Sequence, residues 1–169
     1  IIIGNRDVSK VIDSINNYNN TRIFEINEHQ NGDIYNTIGL SNFNERTRAF
    51  MKIQDGCDRF CTYCIIPFAR GRVRSRAVND IKAEAERLAN NGYCEIVLVG
   101  INLTSYGKGE DFNLCDAVDA VCQVDGIKRV RLGSLEPDHI TDEMLNRFKA
   151  QPKFCPQFHL SLQSGCDAT

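Results

Sequence analysis

The chain has 169 residues, enough for one domain or a domain plus part of another, and its 42% hydrophobic and 25% charged fractions allow a real buried core. The net charge of −2 excludes any argument for nucleic-acid binding from global charge, so such binding would need a local basic patch. Eight cysteines without a signal peptide point to a reducing compartment, and a cytoplasmic location is expected. No run approaches the roughly 18 apolar residues of a membrane span, so no membrane association is expected.

Ile1–Ile3 is predicted as a short buried-type strand, turned by Gly4-Asn5. Asp7 or Ser9 is the expected cap of a helix carrying Val8, Val11, Ile12 and Ile15 at helical spacing. Asn16, Asn17, Asn19 and Asn20 end it, because asparagine favours turns and caps. Arg22–Ile26 reads as a short strand, and the polar, turn-rich stretch from Glu28 to Phe43 as a linker. From Arg48 the pattern becomes strand, loop, helix, repeated. Strands are predicted over Ala49–Gln54 (Phe50 and Ile53 inward), Glu95–Gly100, Val130–Leu135 and Phe158–Leu162. Helices are predicted over Ala77–Asn91, with Asn79 or Asp80 near the cap, over Leu114–Val124, and over Thr141–Lys149 with Thr141 as cap. This alternation argues a parallel α/β sheet or barrel, in which ligands sit at the C-terminal ends of the strands. Each distinctive polar cluster follows a strand: the cysteines after Gln54, Asn102–Tyr106, Ser134–Asp138 and Gln163–Cys166.

Cys57, Cys61 and Cys64 form a C-x-x-x-C-x-x-C run. Three thiolates this close can hold three irons of a four-iron, four-sulfur cluster, leaving one iron without a protein ligand. Zinc is the bland alternative, but zinc sites pair C-x-x-C with a second pair or with histidines. None of His29, His139 and His159 falls at that spacing.

The cysteine spacing, with Tyr63 just before the last cysteine, resembles the radical S-adenosylmethionine enzymes. The resemblance extends to the methylthiotransferases through Arg48–Cys57, Cys61–Pro67, Ala69–Arg76, Gly100–Gly107, Ser134–Pro137 and His159–Gly165, in the family's order. Within that family the Arg-rich segment and Gln54-Asp55-Gly56 look most like the tRNA branch acting on N6-threonylcarbamoyladenosine beside the anticodon. Sibling branches act on isopentenyladenosine in tRNA or on an aspartate of a ribosomal protein. The resemblance implies a partial radical-SAM (βα) barrel over residues 46–169, a linker over 28–45, and the tail of a small α/β N-terminal domain over 1–27. It also implies a 4Fe-4S cluster and S-adenosylmethionine as cofactors, tRNA as partner, and a reductant such as flavodoxin or ferredoxin. Members carry a second cluster held by three N-terminal cysteines, and Cys94, Cys115, Cys122, Cys155 and Cys166 do not match those positions. Both chain ends read as cuts, so the chain is expected to be a fragment that does not perform the full reaction alone.

Several residue roles follow as expectations. Cys57, Cys61 and Cys64 ligate the cluster, and Tyr63 packs on the adenine side of the cofactor. Asn102, with Ser105 and Tyr106 beside it, faces the cofactor's amino end. Glu136 binds cofactor or substrate, or else caps the turn at Pro137-Asp138. Gln163 contacts the ribose. Arg70, Arg72, Arg74 and Arg76 alternate at period two, so in an extended chain all four project to one face and suit RNA phosphate. A charged, solvated edge strand is the alternative reading of that row. Cys115 and Cys122 are expected to pack as small apolar residues, and His139 and His159 to be structural. Two other classes compete: a non-catalytic iron-sulfur electron carrier, and a plain RNA-binding module.

Overall fold

The computed structural model describes residues 1–30, 32–36, 39 and 47–168. The predicted linker therefore lies partly outside the described residues, as do Phe43 and the start of the predicted core at residue 46.

Strand β1 (Ile2–Ile3) runs parallel to β2 (Phe24–Glu25), with a short 3-10 turn over Asn5–Lys10 and helix α1 (Val11–Asn16) between them. The predicted caps are not used. Gly4 and Lys10 occupy the cap positions, while the Asp7 carboxylate accepts from Asn27 and pairs with Lys10, which hold its pKa below the usual range. Nor is β1 buried, for Ile1, Ile2, Ile12 and Ile15 are exposed. Among the described residues no second layer covers the apolar residues of this strand pair. The described part of the linker is mostly exposed but is tied to its surroundings by hydrogen bonds. His29 bonds Asn5 at 2.7 Å, and the Tyr35 hydroxyl donates to the Lys52 carbonyl at 2.8 Å.

The core begins with β3 (Ala49–Asp55), followed by α2 (Ile66–Arg70), β4 (Arg74–Ser75), α3 (Val78–Asn90) and β5 (Glu95–Gly100). Then come α4 (Leu114–Cys122), β6 (Arg129–Leu132), β7 (Ser134–Leu135), α5 (Asp142–Ala150) and β8 (His159–Leu160). One sheet has the order β4-β3-β5-β6, with β4 antiparallel at the edge and the rest parallel. β7 pairs in parallel with β8. Gly133 divides the single strand predicted over Val130–Leu135, and its amide still bonds Leu98. The strand positions β3, β5, β6–β7 and β8 thus follow chain order, as in a partial (βα) barrel.

The core lies between this sheet and helices α3 and α4. Ile81, Ala85 and Leu88 form the buried stripe of α3, and α4 is buried almost all round. Each large aliphatic so removed from water contributes about 1.5–3 kcal/mol. The α4 start is held by a capping box between Asn113 and Asp116, and Thr141 caps α5. Ala77, not Asn79 or Asp80, is the N-cap of α3. In β3 the inward residues are Ala49, Met51 and Ile53, so Phe50 is only half-buried. A register shift between Lys52 and Gln54 then breaks the alternation. Such irregularities re-aim side chains near functional sites, and here the fully buried Gln54 directly follows the fully buried Ile53.

Candidate functional site

The cysteine loop leaves β3 at its C-terminal end. Gly56 makes the departure possible with φ of 73°, and a Cβ there would stand 1.9 Å from the Arg72 carbonyl oxygen. Left-handed backbone and a clash with main chain together exclude any other residue. Gly56→Ala is expected to cost at least about 2 kcal/mol and to reduce iron incorporation. Chemical denaturation and iron analysis check both, and wild-type values would mean that the loop tolerates a side chain there.

Cys57 is buried, Cys64 half-buried and Cys61 exposed, and all three are free thiols. The Cys57 amide donates to the Gly71 carbonyl at 3.1 Å, and the Cys64 amide to Cys61 at 2.9 Å. Among the described residues, only Glu136, Asp138 and His139 place three ligand atoms within 4.8 Å of one another. Three free thiols in one loop suit a cluster that carries each ligand on a separate iron. The Glu136, Asp138 and His139 group makes no metal site of its own, since both carboxylates are engaged by Arg59.

Asn102 follows β5 and is buried. Its side-chain amide stands 3.8 Å from the Cys57 sulfur and 3.2 Å from Glu136 Oε2, and its backbone amide donates to Gln54 Oε1 at 2.7 Å. Glu136 accepts from Arg59 at 2.6 Å and does not cap the following turn, whose start has no side-chain cap. Arg59 also reaches Asp138 at 2.5 Å. Hydrogen bonds from Asp138 and then Glu136 raise the guanidinium's pKa, and Arg59 holds Asp138 below the usual carboxylate range. Tyr63 is 75% exposed, and its hydroxyl meets Gln163 Oε1 across 100 residues at 2.5 Å. The two predicted cofactor contacts thus bond each other. Tyr106 is buried and donates its hydroxyl to the Arg76 carbonyl at 2.6 Å. That hydroxyl is spent on the fold, while Ser105 lines the mouth.

Arg59 stands between two cavities at the strand ends. One of about 420 Å³ is lined by Asp58, Arg59, Asn102, Ser105, Lys108 and His139. The other, of about 280 Å³, is lined by Cys61, Glu136, Leu162 and Gln163 among others. The larger is within the range of small-molecule sites. At its edge Asp58 is pulled both ways. Burial pushes its pKa up, but hydrogen bonds from Lys108 and the Val73 amide bring it below the usual value.

The arginine row does not form one face. Arg70 is the last residue of α2, and Gly71 reverses the chain with φ of 75°. Arg74 lies 3.4 Å from Asp55, and Arg76, 2% exposed, pairs with the equally buried Glu84 at 2.7 Å. Only Arg70 and Arg72 keep exposed guanidiniums, at 41% and 57%. Arg72 covers the Phe60 ring at 4.7 Å. Period-two projection needs an extended chain, and the helix end and glycine turn remove it.

Cys115 and Cys122 are buried in α4, where desolvation pushes both thiols up to about 11. The residues that sequence reasoning missed are Gln54 and Arg59. A polar residue in an apolar strand was the available signal for the first; only its place in the cysteine loop pointed to the second.

The arc of parallel strands with a three-cysteine loop at its mouth defines the class: the chain belongs to the Radical SAM superfamily, whose match covers residues 51–169. Membership implies a 4Fe-4S cluster and S-adenosylmethionine, and the donor set of Cys57, Cys61 and Cys64 fits that cluster. The chain is 37% identical over 168 residues to the threonylcarbamoyladenosine tRNA methylthiotransferase MtaB of Thermotoga maritima, covering 99% of this chain and 38% of that protein. It is 37% identical over 169 residues to the Bacillus subtilis protein of the same name, covering 98% and 38%. A tRNA-2-methylthio-N(6)-dimethylallyladenosine synthase of Clostridium perfringens is 45% identical over 120 residues, 70% of this chain and 27% of that one. The chain thus spans about two-fifths of the length of the first two relatives. Among solved structures, the radical S-adenosylmethionine methyltransferase TsrM of Kitasatospora setae, with cobalamin and a 4Fe-4S cluster bound, superposes with a TM-score of 0.53. It shares 16% identity and covers 66% of this chain and 22% of its own, a likeness of fold. Among the described residues no helix is long and apolar enough to cross a membrane.

Proposed function

We propose that this chain is part of a tRNA methylthiotransferase that places a methylthio group on C2 of N6-threonylcarbamoyladenosine. The observation that carries the reading is the three-thiol loop at the strand mouths, in a chain 37% identical to the Thermotoga protein over 99% of its length. When bound, the cluster supplies the electron for reductive cleavage of S-adenosylmethionine. Cys57, Cys61 and Cys64 hold it, and Glu136 and Gln163 offer polar groups to the cofactor around them, while the Asn102 side chain is engaged by Glu136, Thr104 and Cys57. Arg59 pairs with both Glu136 and Asp138 and so offsets part of the negative charge that an incoming carboxylate meets at the mouth. The separate strand pair over Ile2–Glu25 supports assigning residues 1–27 to an N-terminal domain, 28–45 to a connection and 46–169 to the barrel. The 45% identity to the dimethylallyladenosine synthase favours one second reading, modification of that nucleoside instead.

The test is mass spectrometry of tRNA nucleosides from cells lacking the full-length gene, complemented with wild type or with Cys61→Ala. The threonylcarbamoyl nucleoside is expected to regain its methylthio group with wild type alone. Restoration of the dimethylallyl derivative would select the second reading, and restoration of neither would sink both.

Of the four arginines, Arg70 and Arg72 are the pair whose guanidiniums are exposed enough to meet RNA phosphate. Replacing both with alanine in the full-length protein is expected to weaken tRNA binding and flatten its salt dependence by roughly 1.5 in log–log slope. An unchanged slope returns the pair to a solvated edge.

A further inference from the structure

Gln54 and Asn102 form a buried polar link that runs to the sulfur of Cys57. Gln54 is 0% exposed, and each end of its amide is used. Nε2 donates to the carbonyls of Gly56 at 2.7 Å and Asp55 at 2.9 Å, and Oε1 accepts from the Asn102 backbone amide at 2.7 Å. Gly100 makes room for it, since a Cβ there would lie 2.8 Å from Gln54 Oε1. The first residues of the cysteine loop are thereby tied to the loop after β5.

The orientation of the Asn102 side chain follows from its neighbours. A carboxylate only accepts, so the end facing Glu136 Oε2 at 3.2 Å is the amide nitrogen. The oxygen end accepts from the Thr104 hydroxyl at 2.9 Å. The nitrogen has two hydrogens, and its second partner is the Cys57 sulfur at 3.8 Å. Asn102 is 4% exposed, so water does not compete for that sulfur on this side.

We infer that Asn102 is a positioning residue whose side-chain amide donates a hydrogen bond to the Cys57 sulfur and thereby raises the reduction potential of the cluster held there. The physical reason is charge. Reduction adds negative charge that the thiolates share, and a donor aimed at one of them stabilises the reduced form more than the oxidised form. Hydrogen bonds to ligand sulfurs are among the determinants of iron-sulfur potentials. Glu136 acts against this by drawing on the same nitrogen, and Arg59 at 2.6 Å offsets its charge. The inference rests on the cluster reading of the three cysteines and not on the tRNA substrate.

The test is a redox titration of the full-length protein after anaerobic reconstitution. It follows the electron paramagnetic resonance signal that changes when S-adenosylmethionine is added, which singles out this cluster. Asn102→Ala and the near-isosteric, apolar Asn102→Leu are compared with wild type. Both are expected to retain iron and to titrate at more negative potential, because each removes the donor. A hydrogen bond of ordinary net strength, lost from one oxidation state, is worth up to about tenfold in the reduction equilibrium. Unchanged midpoints in iron-replete variants would overturn the inference, and loss of iron from both would replace it with a purely structural role. If wild type shows no signal responsive to S-adenosylmethionine, it is the cluster reading that fails.

Discussion

Alanine at Cys57, Cys61 or Cys64 is expected to abolish the S-adenosylmethionine-responsive iron-sulfur signal of the full-length protein, while Cys115→Ala leaves it intact. The three loop thiols sit at the C-terminal end of β3, and two of them are open to an incoming group. A four-iron cluster held by three thiolates has no spare ligand, so each loss leaves a second iron bare. Cys115 is different in kind. It is buried in helix α4 rather than in the cysteine loop, and desolvation pushes its thiol up to about 11. Its replacement opens a small void costing on the order of 1 kcal/mol. Iron analysis and resonance spectra decide the matter, and an equal loss in Cys115→Ala would break the assignment.

Arg76→Met is expected to destabilise the protein by on the order of 3 kcal/mol, where Arg72→Ala changes stability by less than about 0.5 kcal/mol. Arg76 and Glu84 are 2% and 3% exposed at the side chain and lie 2.7 Å apart. Methionine fills much of the volume but replaces the guanidinium at 2.7 Å from the buried Glu84 carboxylate with an apolar group, leaving Arg87 at 3.8 Å. Truncating one partner of such a pair is costly because the remaining charge stays desolvated. Arg72, 57% exposed, holds Asp58 at only 3.7 Å, and solvent screens the pair. Urea denaturation of the two variants separates the roles. Equal midpoints would mean that Arg76 is not the internal strut that its burial implies.

Much of the architecture was legible because it rests on periodicity. The apolar runs at Glu95–Gly100 and Ala49–Gln54 leave little choice of element, and the stripe Ile81, Ala85, Leu88 little choice of face. The cysteine triplet was legible for a similar reason, since ligand spacing in one loop is local. Where the reading failed, non-local context decided. Phe50 lost its predicted place inside to Met51, because strand phase is set by the neighbouring β5 and not by β3 alone. The arginine row failed because Gly71 and the end of α2 turn the chain between Arg70 and Arg74, so even spacing no longer means a shared face.

Apart from the short α2 and β4 between the loop and α3, the sequence by itself determined the alternation of the main parallel strands and long helices, the three-thiol loop and the placement of polar clusters after strands. All of these depend on residues close together along the chain. Only the tertiary structure decided which clusters meet. It set Asn102 against Cys57 across 45 residues, Arg59 against Glu136 across 77 and Tyr63 against Gln163 across 100. It also placed Arg76 inside against Glu84 rather than out toward RNA. The physical reason is that hydrogen-bond partners and burial depend on distance in space, and successive parallel strands bring each loop to the same end of the sheet whatever lies between them.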